Sequence, residues 1–123
     1  MATPILNITE LSDGQVNQFA TCNTALRALE SAANDYLDVD LSGANDTLTA
    51  AEFRGAVIFR VTGNTVSRSL TLPANKRLFV ISNGGSATLD VIIGSTTLTV
   101  AASKSRMFYA DGTTNGLALM DFT

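Results

Sequence analysis

The sequence predicts a mainly β fold: an antiparallel β-sandwich or jelly-roll-like barrel of about eight strands, preceded by an extended N-terminal arm and one α-helix. Three observations predict it. The hydrophobic period is helical before residue 37 and two-fold after it. Turn residues then recur at the spacing of short strands, roughly every 8–12 positions. No stretch long enough for a helix separates these strands, which disfavours a parallel α/β sheet. The chain therefore divides into residues 1–36, a docking or oligomerisation element, and residues 37–123, a β-domain.

Residues 1–11 read as an extended arm, because Pro4 disfavours helix for the residue before it. Its apolar residues Ile5, Leu6, Ile8 and Leu11 fit neither alternation nor a helical stripe. Apolar residues so near a terminus call for a partner surface. Ser12-Asp13-Gly14-Gln15 has the spacing of a capping box and sets the expected helix start at Ser12 or Asp13. Phe19, Cys22, Leu26, Leu29, Ala33 and Tyr36 follow at spacings of three and four, a heptad stripe. Two readings stay open. The stripe packs on the chain's own β-domain, or it packs against other copies in a short bundle.

From Leu37 the alternation is clear. Leu37, Val39 and Leu41 alternate with Asp38, Asp40 and Ser42, and a turn follows at 43–46. Thr49-Ala50-Ala51-Glu52 is a second capping box, so Ala50–Arg54 should be one helical turn ended by Gly55. Strands are expected over Ala56–Thr62, Ser67–Leu72, Arg77–Ser82, Ala87–Ile93, Thr96–Val100, Arg106–Ala110 and Leu117–Phe122. Gly94-Ser95 is a two-residue hairpin turn between two of them. The expected core is Val57, Phe59, Val61, Leu70, Leu72, Phe79, Ile81, Leu89, Val91, Ile93, Leu98, Val100 and Phe108.

Composition excludes several kinds of function. The 123 residues are 46% hydrophobic and only 15% charged, so the chain is not of the disordered kind. Its apolar runs are too short for a membrane span. There is no His and one Cys, which removes histidine acid–base chemistry, zinc clusters and disulfide frameworks. Net charge is −3, with −5 in residues 1–40 and +2 in the rest, and no dense basic stripe marks a nucleic-acid interface. The first residues, MATPILNITELSDG, lack a signal-peptide pattern, so synthesis in a cytoplasm is expected.

Few residues suggest chemistry. Asp38, Asp40 and Asp46 with Gly43 resemble the start of a calcium loop, but Thr49 stands where the bidentate Glu belongs. A solvated strand edge is the expected reading. Cys22 has no His to activate it and is expected to pack in the helix stripe. Asp90 and Asp111 read as a strand face and a turn, not a catalytic pair. No catalytic, cofactor-binding or metal residue is assigned, and no enzyme activity is expected. The expected docking residues are Ile5, Leu6, Ile8, Leu11, Phe19, Leu26 and Leu29.

Two stretches carry a family resemblance. Asn23-Thr24-Ala25-Leu26-Arg27-Ala28-Leu29-Glu30 resembles the N-E-A-L-R-x-L-D helix of a family of uncharacterised bacteriophage and prophage structural proteins. Gln18-Phe19-Ala20-Thr21 stands where that family has Gln-Lys-His-Val-Thr, and keeps only the Thr in register. Residues 48–57, 71–83 and 107–113 are similar to β-modules of phage tail fibres and other virion appendages, with Asn75 in place of the usual Gly. The resemblance implies a non-enzymatic virion protein, homo-oligomeric and often trimeric. At this length a capsid-decorating (cement) protein or a short head fibre fits, with the alternative of a tail-fibre or tail-tip module that binds a host receptor or glycan. The implied partners are sister chains and the major capsid protein or other virion proteins, with neither nucleic acid nor membrane.

Overall fold

Apolar and polar residues alternate from Tyr36 onward, and in the computed structural model, which describes residues 2–120, they form nine strands. These are β1 (Tyr36–Asp40), β2 (Asp46–Thr47), β3 (Ile58–Thr62), β4 (Arg68–Thr71), β5 (Arg77–Asn83), β6 (Leu89–Ile93), β7 (Thr96–Val100), β8 (Ser105–Ala110) and β9 (Leu117–Met120). Two helices, α1 (Gln18–Asn34) and α2 (Ala50–Arg54), complete the order α1-β1-β2-α2-β3 to β9. Each expected strand of residues 37–120 is present within two or three residues. The end expected at Phe122 lies outside the described residues. The two-residue β2 falls where only a turn was expected.

Strands β1 to β6 alternate between two sheets, so the chain winds as a coil. One sheet has the order β1-β3-β5-β8-β9 and the other β2-β4-β6-β7. Pairs β1–β3, β3–β5, β2–β4 and β4–β6 are parallel; β5–β8, β6–β7 and β8–β9 are antiparallel. This corrects the antiparallel sandwich or jelly-roll-like barrel expected from the sequence: the sheets are mixed and neither is closed. The expectation failed because it required a helix to carry the chain back to a parallel neighbour. Here a strand in the opposite sheet carries it back. Tyr36 pairs with Ile58 and Ile58 with Val80, a step of 22 positions in this sheet, while in the other sheet Asp46 pairs with Leu70 and Leu70 with Val91, steps of 24 and 21.

Both sheets bury one face in a shared core. Phe59, Phe79 and Phe108 come from the five-stranded sheet, and Leu70, Leu89, Val91 and Val100 from the other. Phe53 enters from α2 and stacks on this cluster, 5.7 Å from Phe59 and 5.0 Å from Phe79 between ring centroids. Phe79 and Phe108 are 5.6 Å apart. Such pairs add about 0.5–1.5 kcal/mol beyond burial. Of the expected core, Val57 and Leu98 are only half-buried, while Phe53, Leu41 and Leu48 are additional core residues. The capping box that aims Phe53 is complete: Thr49 Oγ1 accepts from Glu52 N at 3.1 Å, and Glu52 Oε1 accepts from Thr49 N at 2.9 Å.

Two buried amides join successive turns of the coil. Asn64 Nδ2 donates to Asn83 Oδ1 (3.1 Å) and Ala87 O (3.0 Å). Asn83 Nδ2 donates to Ala87 O (2.9 Å) and Val100 O (3.0 Å), and Asn83 Oδ1 accepts from Gly85 N. A side chain at position 85 would overlap the Asn64 carboxamide, so this close approach requires glycine. We expect Asn83→Ala to lower unfolding free energy by about 2–3 kcal/mol, because it leaves several buried partners unpaired. Phe79→Ala should cost about 3–5 kcal/mol. Urea unfolding followed by circular dichroism measures both.

Candidate docking surface

The arm, residues 2–9, folds back on itself and is not extended as expected. Ala2 and Thr9 form an isolated antiparallel bridge. Thr3 N donates to Ile8 O (2.9 Å), Ile8 N donates to Thr3 Oγ1 (2.9 Å), and Asn7 takes a left-handed φ of 55°. The polar ends of the loop thus satisfy each other, and Pro4-Ile5-Leu6 forms its tip.

α1 begins at Gln18, later than the expected Ser12 or Asp13. Gly14 (φ 68°) and Asn17 (φ 60°) are left-handed and interrupt any helix before it. Half of the expected capping box survives as a turn: Ser12 N donates to Gln15 Oε1 at 2.8 Å. Gln15 Nε2 then donates to Thr21 Oγ1, tying this turn to the helix.

Of the 17 residues of α1 only Ala32 is buried. The stripe therefore does not pack on its own β-domain. Phe19 is 87% exposed, Leu26 59% and Leu29 52%, and Cys22 is exposed rather than packed as expected. The helix carries just two charged residues, Arg27 and Glu30. An exposed helix this poor in charge is not built to face water all round.

The arm leans on one side of α1. Ile5, Leu6 and Ile8 face Ala25, Leu26 and Leu29 across an open apolar groove of about 450 Å³. A second groove, about 370 Å³, lies between Ile8 and Thr9 and the small residues Ala20, Ala25 and Ala28. Six of the seven expected docking residues thus lie on the arm–helix unit, five of them around the first groove. Leu11 is exposed on the linker, outside the grooves. Phe19 lies nearer the start of the helix and lines neither groove.

Arg77 hinges this unit to the β-domain. Its Nη2 donates to Ala32 O and its Nη1 to Phe53 O, both at 2.8 Å, and the guanidinium sits 5.7 Å from the Phe53 ring. Half-burial pulls its pKa below the usual guanidinium range, and the two carbonyl acceptors offset the lost hydration. Sequence reasoning did not single out Arg77.

A third depression, about 390 Å³, runs from Leu6 and Leu29 past Ala33 to Val57 and Leu78 on the β-domain. Leu78 points outward from β5 and pairs with exposed Tyr109. Beside it an apolar row crosses all five strands of that sheet: Tyr36, Ile58, Val80, Met107 and Met120 are successive register partners. The next row out is polar. There Arg60 Nε and Nη2 donate to both Asp38 oxygens at 2.6 and 2.9 Å, and the guanidinium lies 3.7 Å from the Tyr36 ring centroid. The hydrogen bond from Arg60 holds the Asp38 carboxyl below its usual range. The outer row was missed, although Leu78-Phe79-Val80-Ile81 is apolar at every position, a sign of a strand covered on both faces.

The candidate chemistry does not assemble. Asp38 is engaged by Arg60, Asp40 Oδ1 accepts from Ser42 N, and Asp46 lies in the other sheet capping Thr47 N. No group of three metal-ligating side chains occurs among the described residues. Asp90 faces out from β6, whereas Asp111 closes its own turn by accepting from Thr113 N and Oγ1. No helix among the described residues is long and apolar enough to cross a membrane. No protein-family model, curated protein or solved structure matches the chain.

Arg77→Ala should therefore loosen α1 rather than the core. It removes two charge-assisted bonds, worth about 2 kcal/mol together after solvation of the freed carbonyls. Hydrogen exchange should rise across residues 25–34 while β5 and β8 stay protected.

Proposed function

We propose that this chain is a non-enzymatic virion structural protein of a bacteriophage, a surface decoration (cement) protein or short head fibre. It acts as a homotrimer anchored by its N-terminal arm and helix, with the β-domain projecting. One observation carries this reading: an arm–helix unit with large apolar side chains on its surface, hinged to a self-sufficient β-core through Arg77. Such a surface suits docking to a capsid or to sister chains. The sequence resemblance to phage structural helices and appendage modules supports the same class. The protein would be made in the bacterial cytoplasm and reside in the particle.

The alternative is a tail-fibre or tail-tip module that binds a host receptor or glycan. The outer face of the four-stranded sheet favours it. Ser69, Thr71, Thr97 and Thr99 stand there as register neighbours around Asp90 and Ile92, and uncharged hydroxyls suit sugar hydrogen bonding. Binding on a glycan array, lost in Thr97→Ala with Thr99→Ala, would favour this alternative over decoration.

Removing residues 1–11 should abolish incorporation into particles and leave the β-domain folded. Mass spectrometry of purified particles from complemented cells reads the first outcome, and circular dichroism of the truncated chain the second. Normal incorporation of the truncated chain would contradict the docking role.

A further inference from the structure

We propose that the outer face of the five-stranded sheet is a self-association surface, covered by a second copy of this chain. It rests on the homo-oligomeric part of the reading above and extends it from the helix to the β-domain.

The row Tyr36, Ile58, Val80, Met107 and Met120 is apolar on every strand and continuous in register. A sheet with its other face in the core normally alternates to polar residues outside. The opposite sheet largely follows that rule, turning Ser69, Thr71, Asp90, Thr97 and Thr99 outward with Ile92 among them. The apolar character is therefore specific to one face.

Charge narrows the occupant. In the row beside the apolar one, the charges Asp38 and Arg60 neutralise each other through two hydrogen bonds. Such a face offers little to a nucleic acid or to a strongly charged partner, and it matches a copy of itself. Its position argues the same. Leu78 joins this face to the depression beside Leu29 and Ala33, so sheet and helix form one surface. The heptad spacing of α1 suits packing against equivalent helices.

Area agrees. Tyr36, Ile58, Leu78 and Tyr109 on this face, with Leu26 and Leu29 beside the shared depression, leave on the order of 500 Å² of apolar surface, close to the non-polar share of the about 800 Å² that one partner contributes to a standard interface. Addition of a strand to the edge of β1 is disfavoured by Asp38 and Asp40 along it. The β1 edge thus does not favour an edge-joined filament.

Site-directed cross-linking tests this. In a Cys22→Ser background, Ile58→Cys reports the proposed face and Thr97→Cys the opposite one. A flexible bismaleimide added to the full-length chain should link Ile58→Cys at least tenfold more than Thr97→Cys. Separately, Ile58→Lys combined with Leu78→Lys should shift the sedimenting species to monomer while circular dichroism stays unchanged. If that double variant unfolds, the cysteine comparison decides. Equal or absent linking at the two positions overturns the proposal. So does an oligomer that Leu26→Lys dissociates and the sheet variants do not, which would leave the helix as sole interface. A monomeric parent chain overturns both this face and the trimer, without bearing on presence in particles.

Discussion

The structure depends on strand register in its parallel coil. Within a strand successive side chains turn to opposite faces, and residues paired in register share one face. Leu37, Phe59 and Ile81 align inward; Tyr36, Ile58 and Val80 align outward. In the four-stranded sheet the β4–β6 step is 21 positions, and its partners Leu70 and Val91 are both buried, so register and not the length of the step sets the face. The antiparallel strands β8 and β9 continue the same rows, so the aromatic core and the outer apolar row both arise from one register.

That register is held from inside. Asn64 and Asn83 link adjacent turns by bonds that only one alignment satisfies. The Phe53 ring, delivered by the Thr49–Glu52 capping box, seats against Phe59 and Phe79. α1 has no such support. One bond from Arg77, the fold-back of residues 2–9 and the Gln15–Thr21 link hold it, with little burial. Such elements sit at the low-stability end of a fold, which suits a part that completes its packing on a partner.

Local features were legible in the sequence. The strand segments, the Thr49–Glu52 cap and the Gly94-Ser95 hairpin turn follow from nearest-neighbour chemistry. Strand direction was not legible, because alternation looks the same in parallel and antiparallel ladders. The start of α1 was misread, since Ser12 and Gln15 fit a capping box while Gly14 and Asn17 adopt left-handed backbone that ends it. Cys22 and the rest of the stripe were recognised as a packing face, but periodicity does not say whether the partner is intramolecular. The structure leaves that face open. The outer row went unseen because it joins residues on five strands, and only register brings them together.

In the proposed assembly this open surface is covered by copies of the same chain. Light scattering of the full-length chain after size exclusion tests it most directly. A species near three times 12.9 kDa is the predicted result. A clean monomer at high micromolar concentration would contradict the claim.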